Sequence, residues 1–223
     1  MIEISAVKAV HSEDDIRNLA KIAKQYQLGV IQTLPAHTSL ARKLIKDEPD
    51  ILLGGNIGFP SGAHSTPIKV AETQEMVYLG CDEIDMVINL PKLLSGNYKY
   101  VRNDIKSVVD NADGLPVKVI IEVDYLSEDL VKIACDLLIE AGAAYVKTST
   151  GWVGTGVTVE NIRFIKQYIG DDVKIKASGN IRSLKTIHQM IELGASRFGV
   201  GMRGIQPILK EISTDAKELP NDL

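Results

Sequence analysis

Two lysines of this chain stand in runs where lysine is uncommon. Lys147 lies in Ala143-Ala144-Tyr145-Val146-Lys147-Thr148-Ser149-Thr150-Gly151, and Lys176 in Val173-Lys174-Ile175-Lys176-Ala177-Ser178-Gly179-Asn180. Taking an ammonium out of water is costly, so a lysine in an apolar strand either snorkels to an end or has a partner. One reading is a pair of salt-bridged lysines at a rim. The other brings the two together. Ammonium groups about 4 Å apart, at an effective dielectric near 20, repel by roughly 4 kcal/mol, enough to lower one pKa by about 3 units from roughly 10.4. A neutral amine adds to carbonyl carbon, and a cationic neighbour is one recognised way to make it. Asp85, in Asp82-Glu83-Ile84-Asp85-Met86-Val87-Ile88, is a carboxylate among apolar residues and calls for a cationic partner. It either balances charge or relays protons for carbinolamine and enamine steps.

Three segments end in glycine-bearing loops: Thr148 to Gly151, Ser178-Gly179-Asn180 and Gly199-Val200-Gly201. Such loops present backbone N–H groups to an anion, or serve simply as tight turns. His11, His37, His64 and His188 show no metal-ligand spacing and read as structural or surface residues, with His64 placed to line a mouth. Trp152, beside Gly151, is placed to cover a pocket. Cys81 and Cys135 match no metal or redox spacing and read as buried thiols.

These residues need elements to hold them. Short β-branched runs cover Val30 to Thr33, Ile51 to Ile57, Glu83 to Ile88, Val117 to Glu122, Ala144 to Thr148, Val173 to Ala177 and Arg197 to Val200, and a shorter one covers Ile2 to Val7. Helical periodicity fills the gaps. Leu130, Ile133, Ala134, Leu137, Leu138 and Ala141 make one apolar face, with Ser127 as N-cap and Gly142 as stop. Ser12 to Asp15 resembles a capping box for a helix facing inward through Ile16, Leu19, Ala20 and Ala23. Alternation at about 30 residues per unit implies parallel strands with right-handed crossovers. Units of similar length, with no Gly-rich dinucleotide loop after the first strand, favour a closed (β/α)8 TIM barrel over a doubly wound sheet. Gly80, Gly142 and Gly194 each precede a strand residue by five positions: Asp85, Lys147 and Gly199. This weak repeat predicts that all three lie near C-terminal strand ends, where barrel enzymes keep their chemistry. A single domain over residues 1–213 is expected, followed by a polar tail, 214–223, that frays or caps.

Composition adds bounds. The chain has 223 residues, 45% apolar and 24% charged, with net charge −4. That suits one sizeable core and gives no footprint for nucleic acid or an anionic membrane. No apolar run approaches the roughly 20 residues of a membrane helix, and Met1 to Lys8 lack a signal-peptide layout. A soluble, cytoplasmic protein is expected.

The ordered set Ile57-Gly58-Phe59-Pro60-Ser61-Gly62, Glu83-Ile84-Asp85-Met86-Val87-Ile88-Asn89, Val117-Lys118-Val119-Ile120-Ile121-Glu122, Tyr145-Val146-Lys147-Thr148-Ser149-Thr150-Gly151 and Lys176-Ala177-Ser178-Gly179 resembles the deoxyribose-phosphate aldolase family from about Glu3 to Gly201. The resemblance implies a class I aldolase with no metal or organic cofactor and a homo-oligomer, commonly a dimer. It implies Lys147 as the Schiff-base lysine, Lys176 as its pKa-lowering neighbour and Asp85 as the proton-relay acid. The reaction implied is reversible cleavage of 2-deoxyribose 5-phosphate to glyceraldehyde 3-phosphate and acetaldehyde. Substrate contacts are expected from Glu3, Ser5, Gln32, Thr150, Gly151, Ser178, Gly179, Asn180, Gly199 and Gly201. The catalytic trio is intact, and the departures fall outside it. The family's Asp-x-Thr is Glu3-Ile4-Ser5, and its strand-two cysteine is Gln32, with Leu34 at a polar position. Asn180 replaces a phosphate-loop glycine, and Gly201 and Met202 replace two phosphate-binding serines. Three alternatives follow: an aldolase for another or an unphosphorylated aldehyde, a sugar-phosphate isomerase or epimerase, and a silent binding barrel. The isomerase lacks a visible base pair or metal cluster, and the silent barrel would keep a costly lysine pair unused.

Overall fold

β-branched side chains fit the pleated strand, and capped amphipathic segments bury one stripe; the chain uses both in strict alternation. A computed structural model describes the backbone over residues 1–218 and the side chains over 1–213. Its strands are β1 Ile2–Ala6, β2 Val30–Thr33, β3 Leu52–Ile57, β4 Glu83–Val87, β5 Val117–Ile120, β6 Tyr145–Lys147, β7 Lys174–Ser178 and β8 Ala195–Gly201. They pair in sequence order, all parallel, and β8 closes on β1. This is the expected single-domain (β/α)8 barrel.

The helices are α1 Glu13–Gln25, α2 Pro35–Ile45, α3 Thr66–Tyr78, the short α4 Leu90–Leu94, α5 Tyr98–Asn111, α6 Glu128–Glu140, α7 Val159–Ile169, α8 Leu184–Glu192 and α9 Met202–Glu218. Ser12 and Asp15 form the capping box of α1, and Ser127 caps α6 through the Leu130 amide. Gly142 follows α6 with φ of +83°. The expected inward face of α1 is buried at Ile16, Leu19, Ala20 and Ala23; that of α6 is buried at Ala134, Leu137, Leu138 and Ala141 but only partly at Leu130 and Ile133, Val131 and Cys135 being buried beside it. Because α9 continues through Glu218, the first half of the expected tail is helical backbone. The tail beyond Glu218 lies outside the described residues.

Most strands match the sequence reading to within one residue at each end, and two differ by two residues for local reasons. β5 stops at Ile120, because Glu122 takes φ of +55°, where a strand cannot continue. β8 begins at Ala195 rather than Arg197, and the β7–β8 register shifts between Ile175 and Lys176. That irregularity places Arg197 opposite Lys176. After β3 the chain folds back through Gly62, where φ is +69° and an added Cβ would stand 1.9 Å from the Ile88 carbonyl oxygen. Only glycine fits there.

The apolar core lies between barrel and helices: Ile4, Ile31, Leu53, Ile84, Val119 and Val146 point outward onto it. Neighbours in parallel register share a face. The opposite face carries Ser5–Gln32–Gly54, then Asn56–Asp85–Lys118–Tyr145, then Ile120–Lys147–Lys176–Arg197, with Glu3 beside Gly199. The barrel interior is therefore polar and charged, in contrast to the branched apolar layers usual for this architecture.

Candidate active site

Seven ionisable side chains fill that interior. Asp85 lies at its centre, fully buried. Lys147 and Lys176 each donate to its Oδ2 at 2.6 Å, Gln32 donates to the same oxygen at 2.9 Å, and Lys118 reaches Oδ1 at 3.1 Å. The two lysines singled out from sequence are thus neighbours, bonded to one carboxylate oxygen. Lys176 also pairs with Glu3, whose second oxygen takes Arg197 at 3.2 Å. Glu83 sits below, paired with Lys118 and with Arg197 at 3.4 Å. Gln32 bridges Asp85 and Glu3. Gly199 leaves room for this arrangement, since an added Cβ would come within 2.9 Å of the Ser178 side chain.

The charges do not cancel if every group is ionised. Glu3, Glu83 and Asp85 supply three negative charges, whereas Lys118, Lys147, Lys176 and Arg197 supply four positive ones. Uncompensated buried charge is expensive, so the set favours one neutral lysine. Lys147 is the lysine whose charge is held least firmly. Burial pushes its ammonium down to about 8; the attraction of Asp85 opposes this and the repulsion of Lys176 adds to it. Desolvation, more than lysine–lysine repulsion, therefore lowers it, which reverses the order of causes expected from sequence. Burial also acts against the Lys176 charge, but Asp85, Glu3 and Glu83 outweigh it and raise its pKa. Burial would raise the Asp85 carboxyl, yet Lys118, Lys147 and Lys176 hold it well below the ordinary range.

A cavity of about 830 Å³ opens above this network at the C-terminal strand ends. Lys147 and Lys176 form its floor with Glu3, Gln32 and Asn56. Asp85 does not reach it, lying beneath the lysines. Ser5, Thr150, Gly151, Ser178, Gly179, Asn180, Gly199 and Gly201, all expected to contact substrate, line the wall. Several of their polar groups are already engaged. The Ser178 hydroxyl donates to the Ser149 carbonyl at 2.6 Å, and Ser5 Oγ donates to the Val200 carbonyl at 3.4 Å. Thr150 donates its hydroxyl and amide to Glu122. Asn180, at φ of +62°, donates its side-chain amide to the Thr155 carbonyl. Trp152 closes one side, as expected, with its Nε1 donating to the Val7 carbonyl at 2.8 Å and its ring edge-on to Phe59. His64 is not on the wall; it turns 3.4 Å from Glu72, and His11 lines the mouth instead.

The sequence reading missed Glu83, Lys118 and Arg197 in the network, and Lys8, Arg182 and Arg203 at the mouth. It also missed Glu122, whose carboxyl is pushed up by burial and pulled back by Thr150. Both cysteines are buried, their thiols pushed up to about 12, chiefly by burial. Among the described residues, no cluster of three or more His, Cys, Asp or Glu is arranged to hold a metal ion, and no helix is long and apolar enough to cross a membrane. A lowered amine at the floor of a polar cavity, with a second lysine kept charged beside it, can add to an aldehyde and stabilise the charge that develops.

The family model described as DeoC/LacD family aldolase matches residues 2–204. A deoxyribose-phosphate aldolase of Klebsiella pneumoniae is 37% identical over 222 residues, covering 99% of this chain and 89% of that protein. One of Rhizobium meliloti is 42% identical over 200 residues, covering 90% and 81%. Among solved structures, the aldolase QR15 superposes with a TM-score of 0.91 at 35% identity, covering 98% of this chain and 96% of the other. A deoxyribose phosphate aldolase from Aeropyrum pernix, described as tetrameric, gives 0.84 at 26% identity, covering 98% and 90%. The barrel and these relatives define an enzyme of the carbon–carbon lyase class. The chain belongs to the DeoC/LacD family of aldolases.

Proposed function

We propose that this aldolase works through a Schiff base on Lys147 and reversibly cleaves 2-deoxyribose 5-phosphate to glyceraldehyde 3-phosphate and acetaldehyde. One observation carries the mechanism: Lys147 is the barrel lysine that both lines the cavity and has its pKa lowered, to about 8. At pH 7 about one tenth of such an amine is neutral, against about one part in 3,000 at its ordinary value. The substrate follows the relatives from K. pneumoniae and R. meliloti, both deoxyribose-phosphate aldolases.

The neutral Lys147 amine adds to C1 of the open-chain sugar, and loss of water from the carbinolamine leaves an iminium. A proton leaves the C3 hydroxyl, the C2–C3 bond breaks, and its electron pair moves to the iminium as an enamine. Glyceraldehyde 3-phosphate departs. Protonation at C2 and hydrolysis then release acetaldehyde and the amine. Lys176, charged and on the cavity floor, is placed to exchange protons with the reacting oxygens. Asp85 is bonded to both lysines through one oxygen, which lets it pass a proton between them while its resting state stays ionised.

Engagement of the Ser178 hydroxyl, with Gly201 and Met202 offering none, favours a second reading in which the acceptor aldehyde differs or lacks phosphate. The first test is intact mass after borohydride reduction with 2-deoxyribose 5-phosphate, with Lys147→Ala as control. A single adduct on Lys147, absent from the control, is expected. Folded protein without an adduct would rule out this sugar phosphate as the Schiff-base partner. Sedimentation would test the homo-oligomer, a proposal suggested by the tetrameric description of the A. pernix relative.

A further inference from the structure

The floor of the cavity holds an amide that the proton chemistry of the lysines does not use. Asn56 stands on β3, in register with Asp85 and on the same inward face. It is 1% exposed and lines the cavity. Its orientation is set from one side. The β2–β3 register ends at Gln32 opposite Gly54, and just beyond it Asn56 Nδ2 donates to the Thr33 carbonyl at 2.8 Å. A carbonyl accepts and never donates, so the nitrogen must face Thr33 and the oxygen must face the other way.

That oxygen, Oδ1, is buried and has no hydrogen-bond partner among the described residues. The donors of the floor turn to carboxylates instead: Gln32 Nε2 to Glu3 and Asp85, Lys147 and Lys176 to Asp85. A buried acceptor left unmet costs free energy, and an apolar side chain of similar size would fill this inward position without that cost. Ser149 Oγ is also buried on this cavity without a partner, but a hydroxyl both donates and accepts and so names no ligand group. Asn56 Oδ1 can only accept, and calls for a donor that arrives with the substrate.

Given the aldolase reading above, on which this inference rests, one such donor remains. In 2-deoxyribose 5-phosphate C1 becomes the iminium carbon, C2 carries no hydroxyl, and the C5 oxygen is esterified. The C3 hydroxyl gives up its proton as the C2–C3 bond breaks and departs as a carbonyl, which cannot donate. The C4 hydroxyl keeps its proton in both directions and becomes the 2-hydroxyl of the released aldehyde. We propose that Asn56 Oδ1 accepts from this hydroxyl, so that Asn56 determines specificity and selects 2-hydroxyaldehydes as aldol acceptors over aldehydes without that group. The bond is present in ground and transition states alike, so it acts through acceptor binding.

The test runs the reaction towards synthesis, with acetaldehyde as donor and D-glyceraldehyde or 3-hydroxypropanal as acceptor, each free and as its 3-phosphate. Within each pair the acceptors differ by one hydroxyl. The wild type should prefer the 2-hydroxyaldehyde by about tenfold or more in kcat/KM, carried by KM. Asn56→Leu should lose that preference. It should handle the acceptor without the hydroxyl as well as the wild type does, or better, because its unmet acceptor is gone. Asn56→Ala gives the same ratio should the leucine variant fail to fold. A wild type without the preference would overturn the proposal, whatever the variants do. So would an equal loss on both acceptors, which assigns Asn56 to the Thr33 contact or to a bound water alone. Borohydride trapping with acetaldehyde alone keeps the two readings apart. An adduct on Lys147 with an unchanged ratio sinks only the role of Asn56, whereas no adduct in the folded wild type sinks the aldolase mechanism and that role together.

Discussion

Lys147 and Lys176 have the same chemistry and share one carboxylate oxygen, yet their environments drive them apart. Lys147 touches Asp85 alone at 2.6 Å, whereas Lys176 also holds Glu3 and feels Glu83. The lysine with less compensation loses its proton first, which is how one site holds a nucleophile beside a proton donor. The rate should therefore follow the neutral fraction of Lys147. We expect kcat/KM to rise with pH and level off above about 8. Lys176→Met removes a charge that lowers Lys147 and leaves Asp85 and Glu3 freer to attract it, so both changes act in the same direction. The acid limb should move to higher pH by roughly half a unit to one unit, with lower kcat throughout. A limb that stays in place in this variant would show that Lys176 does not tune its neighbour.

The strands set these environments two residues at a time. Glu83 precedes Asp85 by two on β4, so both face inward, and Lys118 on β5 lies in register with Asp85. Lys118 thus spans two carboxylates of one strand. Its loss in Lys118→Met should cost about 3–5 kcal/mol, since it leaves Glu83 and Asp85 buried with fewer partners. Adding Glu83→Gln removes the group left most exposed to that loss. Urea unfolding of the two singles and the double should show a favourable coupling of about 1–3 kcal/mol; strict additivity would mean that the two do not act as a pair. The same alternation explains what sequence could and could not reveal. Strand runs, caps and the glycine beat were legible because they depend on local sterics. Lys147, Lys176 and Asp85 stood out as charges within apolar runs. Glu83, Lys118 and Arg197 did not, because period two tells which residues share a face but not that the charged face is the inner one. Arg197 depends besides on the β7–β8 register shift.

At the scale of the whole molecule, a barrel filled with ions ties stability to pH at both ends. The carboxyls of Asp85 and Glu3 lie below their ordinary values of 3.8 and 4.5 although burial opposes this, because the lysines outweigh it. Groups depressed in this way stabilise the fold above those values, and the contribution is lost as pH falls beneath them. Lys147 acts with the opposite sign. Its pKa falls from 10.5 to about 8 on folding, so between those values the unfolded chain binds a proton that the folded chain does not. Stability attributable to this group then rises with pH across the window, and below about 8 its burial is a standing cost. Lys147→Met removes the cost and leaves three cations against three carboxylates. We expect it to unfold on the order of 5 °C higher than the wild type at pH 7, with the difference shrinking towards pH 10 and no adduct formed at any pH. Thermal melts of both proteins across that range are the check. A variant less stable than the wild type at pH 7 would mean that the ion pair with Asp85 outweighs the desolvation of Lys147, and that the fold gains from holding this lysine charged.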